Sequence, residues 1–81
     1  MNIVLYTTGC PQCKVLKTKL DSKNIQYDIV DDITIMMDKG FLSAPNLEID
    51  DKAYDFNKAR KLVDAYDGTQ SFEDYYKSLM E

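Results

Sequence analysis

Ile3-Val4-Leu5-Tyr6-Thr7-Thr8-Gly9-Cys10-Pro11-Gln12-Cys13 places two cysteines, separated by two residues, directly after an apolar run. The run is short and rich in β-forming residues, and it predicts a buried strand over residues 2–7. Pro11 suits the first position of a helix, because it has no N–H to lose and its φ is already helical. The stretch therefore predicts a strand-to-helix turn that carries both cysteines.

The predicted turn favours thiol chemistry. Cys10 would occupy the N-cap, where its sulfur faces unpaired amides and the positive end of the helix dipole. Such a field favours the thiolate, so we expect the pKa of Cys10 to fall below that of a free cysteine. Cys13 lies one turn further along nearly the same face, at a Cα separation of about 5 Å that a disulfide can bridge. We interpret the pair as a reversible dithiol/disulfide in which Cys10 attacks and Cys13 resolves.

The composition is typical of one small globular domain. The chain has 81 residues, 44% of them hydrophobic, and a formal net charge of -4, which argues against a nucleic-acid partner. No apolar stretch approaches the roughly 20 residues of a membrane span, and Met1-Asn2 leads straight into the first apolar run without a visible signal peptide. A single disulfide across four residues would add little stability. We therefore expect a cytoplasmic monomer whose cysteines are functional.

The rest of the chain alternates between helix and strand patterns. Residues 11–23 predict a helix with Cys13, Leu16 and Leu20 on its buried stripe, and Val15 off that stripe suggests cover on a second side. The later elements are a strand over 25–29, a helix capped by Asp32 with Ile33, Met36, Met37 and Phe41 on one face, a strand over 46–50, a return strand at Ala53-Tyr54, a helix over 56–66 and a last helix from Ser71. This βαβαββα order with an extra C-terminal helix predicts an α/β fold, with a mixed four-stranded sheet and helices on both faces.

These features together resemble the glutaredoxin branch of the thioredoxin fold over roughly residues 1–66. The residues that carry the resemblance are Tyr6 to Cys13, Lys17 and Ser43-Ala44-Pro45. The resemblance implies a thioredoxin fold in a single glutaredoxin-like domain over residues 1–81. Its core would span about 1–66, and a helical extension would span about 70–80.

The resemblance also implies roles for individual residues. Pro45 would be cis and face Cys10, and the backbone of Ala44 would pair with the substrate as an added strand. Lys17 would help to stabilise the thiolate. Thr8 and Gln12 flank the two cysteines and would line the rim of the substrate site.

The implied activity is that of a thiol–disulfide oxidoreductase that reduces protein or small-molecule disulfides. It needs no bound cofactor and is recycled by an external reductant, either glutathione or thioredoxin reductase with NADPH. Many glutaredoxins carry a Gly-Gly pair followed by acidic residues that bind glutathione, where this chain has Ala53-Tyr54-Asp55-Phe56-Asn57. Gln12 resembles the motif of the NrdH-redoxins, which pass electrons from thioredoxin reductase to ribonucleotide reductase. Both electron donors stay open at this point.

Two interpretations of other classes also stay open. Structural zinc takes four Cys or His ligands, and this chain has two cysteines and no histidine, so no metal site is predicted within one chain. A metal ion bridging two chains, or an iron–sulfur cluster completed by outside thiols, would be the alternative use of the cysteines. The second alternative is an interaction domain that uses its acidic surface or the aromatic C-terminal helix.

Overall fold

The computed structural model describes residues 1–80, so Glu81 of the predicted domain lies outside the described residues. The strands are β1 (Ile3–Tyr6), β2 (Asp28–Val30), β3 (Asn46–Ile49) and β4 (Lys52–Tyr54). The helices are α1 (Pro11–Ser22), α2 (Ile33–Asp38), α3 (Phe56–Asp64) and α4 (Phe72–Leu79). The predicted order of elements, with the extra C-terminal helix, is confirmed.

The four strands form one mixed sheet in the order β2-β1-β3-β4. β1 runs parallel to β2, with Leu5 opposite Ile29, and antiparallel to β3, with Leu5 opposite Leu47. β3 and β4 form the predicted antiparallel hairpin. A helix connects the two parallel strands, as a crossover requires. The predicted thioredoxin-like fold is therefore confirmed.

One face of the sheet carries the hydrophobic core. Side chains alternate between faces along a strand, so Leu5 and Leu47 share the face against which α1 and α3 pack. The last helix joins the same core, because Phe72 and Tyr76 are buried in it. The cluster consists of Ile3, Leu5, Leu16, Leu20, Ile25, Leu47, Ile49, Ala59, Val63, Tyr66, Phe72 and Tyr76.

The opposite face is covered only near α2. Tyr6 meets Phe41 edge to face with 5.0 Å between ring centroids, and Lys39 lies 5.5 Å from the centre of the Tyr6 ring. Lys39 also pairs with Glu48 at 3.1 Å. Helices thus flank both faces, but the second face relies on one short helix and the loop that follows it.

The second strand is shorter and begins later than predicted, at Asp28 rather than Ile25. Asn24 adopts a φ of 57°, and the N–H of Ile25 donates to the carbonyl of Leu20 at 3.1 Å, so Ile25 still belongs to the end of α1. Ile25 is buried two residues beyond the C-cap Lys23, where its N–H bonds back to the last turn of that helix. Hydrophobic and polar residues alternate from Ile25 to Ile29, and this alternation led to the prediction of a strand that begins too early.

The suggested cover over Val15 is absent from the described residues, and most apolar side chains of α2 are exposed. Val15 is 44% exposed, because α1 packs through Leu16 and Leu20 and nothing covers its outer side. On α2 only Met36 is buried, whereas Ile33 and Met37 are 60% and 69% exposed. A helix of six residues presents a single narrow face to the sheet, so most of its apolar side chains point elsewhere.

Candidate active site

The loop between β1 and α1 holds the first cysteine in place. The N–H of Thr7 donates to the carbonyl of Val30 at 3.0 Å, which continues the β1–β2 pairing by one residue. Gly9 then turns the chain with a φ of 79°, a conformation that side chains rarely adopt, and its N–H donates to Thr7 Oγ1 at 3.0 Å. The turn delivers Cys10 to the N-terminus of α1.

Cys10 is the N-cap of α1, and its backbone is extended with φ of -67° and ψ of 165°. The N–H of Cys13 donates to the Cys10 sulfur at 3.1 Å. The two side chains are paired as a disulfide, with 4.9 Å between their Cα atoms. Cys10 is half-buried, whereas Cys13 is only 2% exposed. One sulfur is therefore accessible, and the other lies behind it within bonding reach.

The segment before β3 faces this pair. The Ala44–Pro45 peptide bond is cis, as the resemblance implies, and the Ala44 carbonyl oxygen lies 3.8 Å from the Cys10 sulfur. Among residues 1–80 the N–H and C=O of Ala44 have no backbone hydrogen-bond partner, since the ladder with β1 ends at Asn46. Pro45 is fully buried beneath it. A free backbone edge thus borders the accessible sulfur.

The two flanking residues lie on different sides of the cysteines. Thr8 is exposed, and its Oγ1 lies 3.9 Å from the sulfur of Cys13. Gln12 is exposed on the other side, where it lines a small cavity of about 200 Å³ together with Pro45 and Asp55. Both residues border the site, and their contact with a substrate stays a prediction.

The predicted thiolate-stabilising lysine has another partner. The ammonium of Lys17 pairs with Asp21 at 2.8 Å, and this hydrogen bond is the main cause that raises the pKa of Lys17. Tyr27 donates to the same carboxylate at 2.6 Å. Lys17 also lines a cavity of about 440 Å³ that reaches Cys13. The effect of Lys17 on the thiolate stays a prediction. The ion pair with Asp21 would weaken the attraction between the Lys17 ammonium and a thiolate.

Sequence reasoning missed an apolar groove that opens beside Cys10. The groove measures about 310 Å³, and Ile33, Met37 and Leu42 contribute exposed apolar side chains to it. The sequence pattern places Ile33 and Met37 on one face of a helix and assigns no role to Leu42. The sequence does contain an indication of the groove. Four of the six residues of α2 are apolar, and one short helix cannot bury all four side chains.

Two further observations concern other classes of site. Within residues 1–80, no three His, Cys, Asp or Glu side chains lie close enough together to hold a metal ion. The same part of the chain contains no helix whose length and hydropathy would let it cross a membrane.

A mixed sheet, two cysteines at the start of α1 and a cis-proline before β3 define a protein of the thioredoxin-fold class. The glutaredoxin family model matches residues 3–54, from β1 to β4, which is more than half of the chain. The chain therefore belongs to the glutaredoxin family, and its close cysteine pair indicates thiol–disulfide redox chemistry. A comparison with curated proteins found no match.

Proposed function

We propose that the protein reduces disulfides of proteins or small molecules, with Cys10 as the attacking and Cys13 as the resolving cysteine. The observation that carries this proposal is the difference in exposure between two paired residues, since Cys10 is half-buried and Cys13 is only 2% exposed. An incoming disulfide would meet Cys10 first, because Cys13 is nearly buried and lies behind it.

In the first step the Cys10 thiolate attacks one sulfur of the substrate disulfide. A new sulfur–sulfur bond forms between Cys10 and that sulfur, and the substrate's own disulfide bond breaks. The other substrate sulfur leaves as a thiolate and takes up a proton from water. The start of α1 and the N–H of Cys13 both favour the anionic sulfur that this step needs.

In the second step the thiolate of Cys13 attacks the Cys10 sulfur. The Cys10–Cys13 bond forms, the mixed disulfide breaks, and the second substrate sulfur leaves as a thiolate. Over both steps the substrate gains two electrons and two protons, and the protein loses the same number. The separation of 4.9 Å between the Cα atoms of the two cysteines supports this step, because it suits a disulfide.

The backbone of Ala44 is the proposed docking edge for the substrate. Its free N–H and C=O suit an extended peptide that adds a strand, and they lie beside the sulfur that attacks. Pro45 would hold this edge in position from beneath, since it is buried. Thr8 and Gln12 would contact the substrate from the rim.

An external reductant must return two electrons to the oxidised pair. We propose thioredoxin reductase with NADPH as this donor, with glutathione as the alternative, and ribonucleotide reductase is then a candidate acceptor. The support is the stretch after β4, where the family's Gly-Gly pair is replaced by Ala53-Tyr54 and where Asp55 Oδ1 is occupied by the N–H of Lys58 at 2.9 Å. Because Asp55 Oδ1 already accepts this capping hydrogen bond, it is less available to bind glutathione.

The proposal also covers the oligomeric state of the protein and its cellular compartment. We propose that residues 1–81 act as one monomeric domain, since α4 supplies Phe72 and Tyr76 to the same core cluster as the sheet, α1 and α3. We propose the cytoplasm as its compartment, because a dithiol that works as a reductant must itself be kept reduced.

Cysteine substitutions test the reaction. The pre-reduced protein, mixed with a peptide disulfide, should release peptide thiol, and Cys10→Ser should abolish this release. Cys13→Ser should instead accumulate a covalent adduct through Cys10, visible as a mass increase that dithiothreitol removes. Release by Cys10→Ser at the rate of the unaltered protein would overturn the proposal.

A second experiment separates the two donors. NADPH is supplied either with thioredoxin reductase or with glutathione and glutathione reductase, and NADPH consumption is followed in the presence of a peptide disulfide. Turnover with the first system alone supports the proposed donor. Turnover with the second alone would assign the chain to glutathione and contradict this choice while leaving the cysteine chemistry intact.

A further inference from the structure

Several exposed apolar side chains line the groove beside Cys10. Leu42 is 101% exposed, and it shares the groove with the exposed Ile33 and Met37 and with the more buried Met36 and Phe41. None of these side chains supports the core cluster of the fold. Exposed apolar patches of this kind mark interaction sites.

The groove is continuous with the reacting group. Cys10 and Ala44 form one of its walls, so the sulfur proposed to attack and the proposed docking edge both border it. Ala44 also lines the cavity at Gln12, but Cys10 lines only the groove of these two, so a molecule that lies against Ala44 with its disulfide at Cys10 can place the neighbouring atoms in the groove. The occupant is therefore the part of the substrate next to its disulfide.

The charges around the groove restrict that occupant. The remaining lining residues, Thr8 and Ser43, are uncharged, so no cation lines the groove. Three exposed aspartates flank the two ends of α2, namely Asp31, Asp32 and Asp38, and the charge of the C-cap Lys39 is paired with Glu48 at 3.1 Å. The carboxylates of glutathione would find no partner here and would meet like charges, which costs binding free energy.

We propose that this groove selects polypeptide substrates that carry a large apolar residue beside the reacting cysteine and a neutral or basic surrounding sequence. The proposal rests on the function proposed above and names its substrate class. Ile33, Met37 and Leu42 determine the specificity, while the cysteine pair performs the exchange. The apolar residue adds affinity because its burial in the groove removes apolar surface from water on both partners.

The test compares matched substrates in a single turnover, which makes it independent of the electron donor. Two lysine-containing peptides differ only in the residue before cysteine, leucine or serine, and each carries a mixed disulfide with 2-mercaptoethanol. Bis(2-hydroxyethyl) disulfide serves as the small neutral probe, and oxidised glutathione serves as the anionic one. Thiol release from each is measured with the pre-reduced protein.

We expect the leucine peptide to react roughly five- to tenfold faster than the serine peptide, since most of one leucine side chain becomes buried. The double variant Met37→Ser, Leu42→Ser should remove this preference and slow the leucine peptide far more than the small neutral probe. The matched control Leu79→Ser, Met80→Ser changes the same residue types at the last residue and the C-cap of α4, both 54% exposed, and should keep the preference.

Several outcomes would overturn the inference. Equal rates for the two peptides would do so, as would a preference that survives the Met37 and Leu42 substitutions, or oxidised glutathione reacting faster than the leucine peptide. A dimer that dissociates on these substitutions would assign the groove to a second copy of the chain. Failure of the underlying function gives a different result, namely no thiol released from any of the four probes.

Discussion

The backbone N–H of Cys13 donates to the sulfur of Cys10 at 3.1 Å, so a backbone group of the second cysteine contacts the sulfur of the first. The bond exists because α1 begins at Pro11 and leaves the N–H groups of its first turn without helical partners. A hydrogen bond to an anionic sulfur is stronger than one to a neutral thiol. The position of the helix start therefore gives a physical reason to expect the reactive thiolate at Cys10, which the next experiment tests.

This arrangement predicts that Cys10 is alkylated in its anionic form at a lower pH than an ordinary thiol. The Cys13→Ser variant keeps the helix start and isolates the Cys10 thiol for the measurement. Its rate of reaction with iodoacetamide, followed against pH, should reach its midpoint below that of a short unstructured cysteine peptide. A midpoint equal to that of the peptide would contradict the predicted thiolate.

Lys17 gives a second prediction in the same assay. If its ammonium acts on the thiolate, Lys17→Gln in the Cys13→Ser background should raise the alkylation midpoint. Asp21→Asn should lower it, because the charge of Lys17 is then no longer shared with the carboxylate at 2.8 Å. If neither substitution moves the midpoint, Lys17 is a solvated helix residue whose pair with Asp21 is an ordinary surface contact.

The turn before Cys10 depends on the backbone freedom of Gly9. Its φ of 79° penalises a residue with a Cβ atom, while an added Cβ would meet nothing within 4 Å. Gly9→Ala should therefore lower the free energy of unfolding by about 1 kcal/mol through conformation alone. Gly9→Asn should cost less, because asparagine tolerates this region. Urea unfolding of both variants checks the prediction, and equal costs would count against the conformational explanation.

The sequence predicted the order of elements well because the signals for it are local. Helix starts depend on one side chain and the N–H groups that follow it, and two of the predicted caps are observed: Asp32 accepts from Thr34 and Ser71 accepts from Asp74. The strand-to-helix turn at Pro11 is of the same kind. Such features need no knowledge of what packs against the element.

Burial on α2 could not be predicted in the same way. The spacing of Ile33, Met36 and Met37 is that of a helix with a buried face, but the number of covered faces depends on neighbouring elements. Here the sheet offers α2 one narrow contact, so the surplus apolar side chains line the groove at Cys10. The local pattern predicted the helix correctly. It did not predict that apolar side chains of this helix line the groove beside Cys10.

Phe72 tests whether α4 is part of the folding unit. It packs against Tyr66 with 5.3 Å between ring centroids and lies in the core cluster. Phe72→Ala should lower the free energy of unfolding by about 3–5 kcal/mol, the usual cost of removing a buried aromatic ring. The control Leu79→Ala, on the exposed side of α4, should cost less than about 0.5 kcal/mol. Similar small effects in urea unfolding would indicate a helix that is only loosely attached.

The last prediction concerns alkaline pH and the hydroxyl pair of Tyr54 and Tyr76, whose oxygens are 2.6 Å apart. Burial, with the Tyr54 hydrogen bond as a further cause, raises the pKa of Tyr76 to about 12. The fold thus favours the neutral phenol, so this stabilisation is complete below the unfolded value of about 10 and is lost as pH rises through 10 to 12. Its full size is on the order of 1–3 kcal/mol. In urea unfolding, Tyr76→Phe should remove this part of the pH dependence, whereas Tyr54→Phe should retain most of it because burial is the larger cause. An unchanged slope between pH 9 and 11 in Tyr76→Phe would show that other groups govern alkaline unfolding.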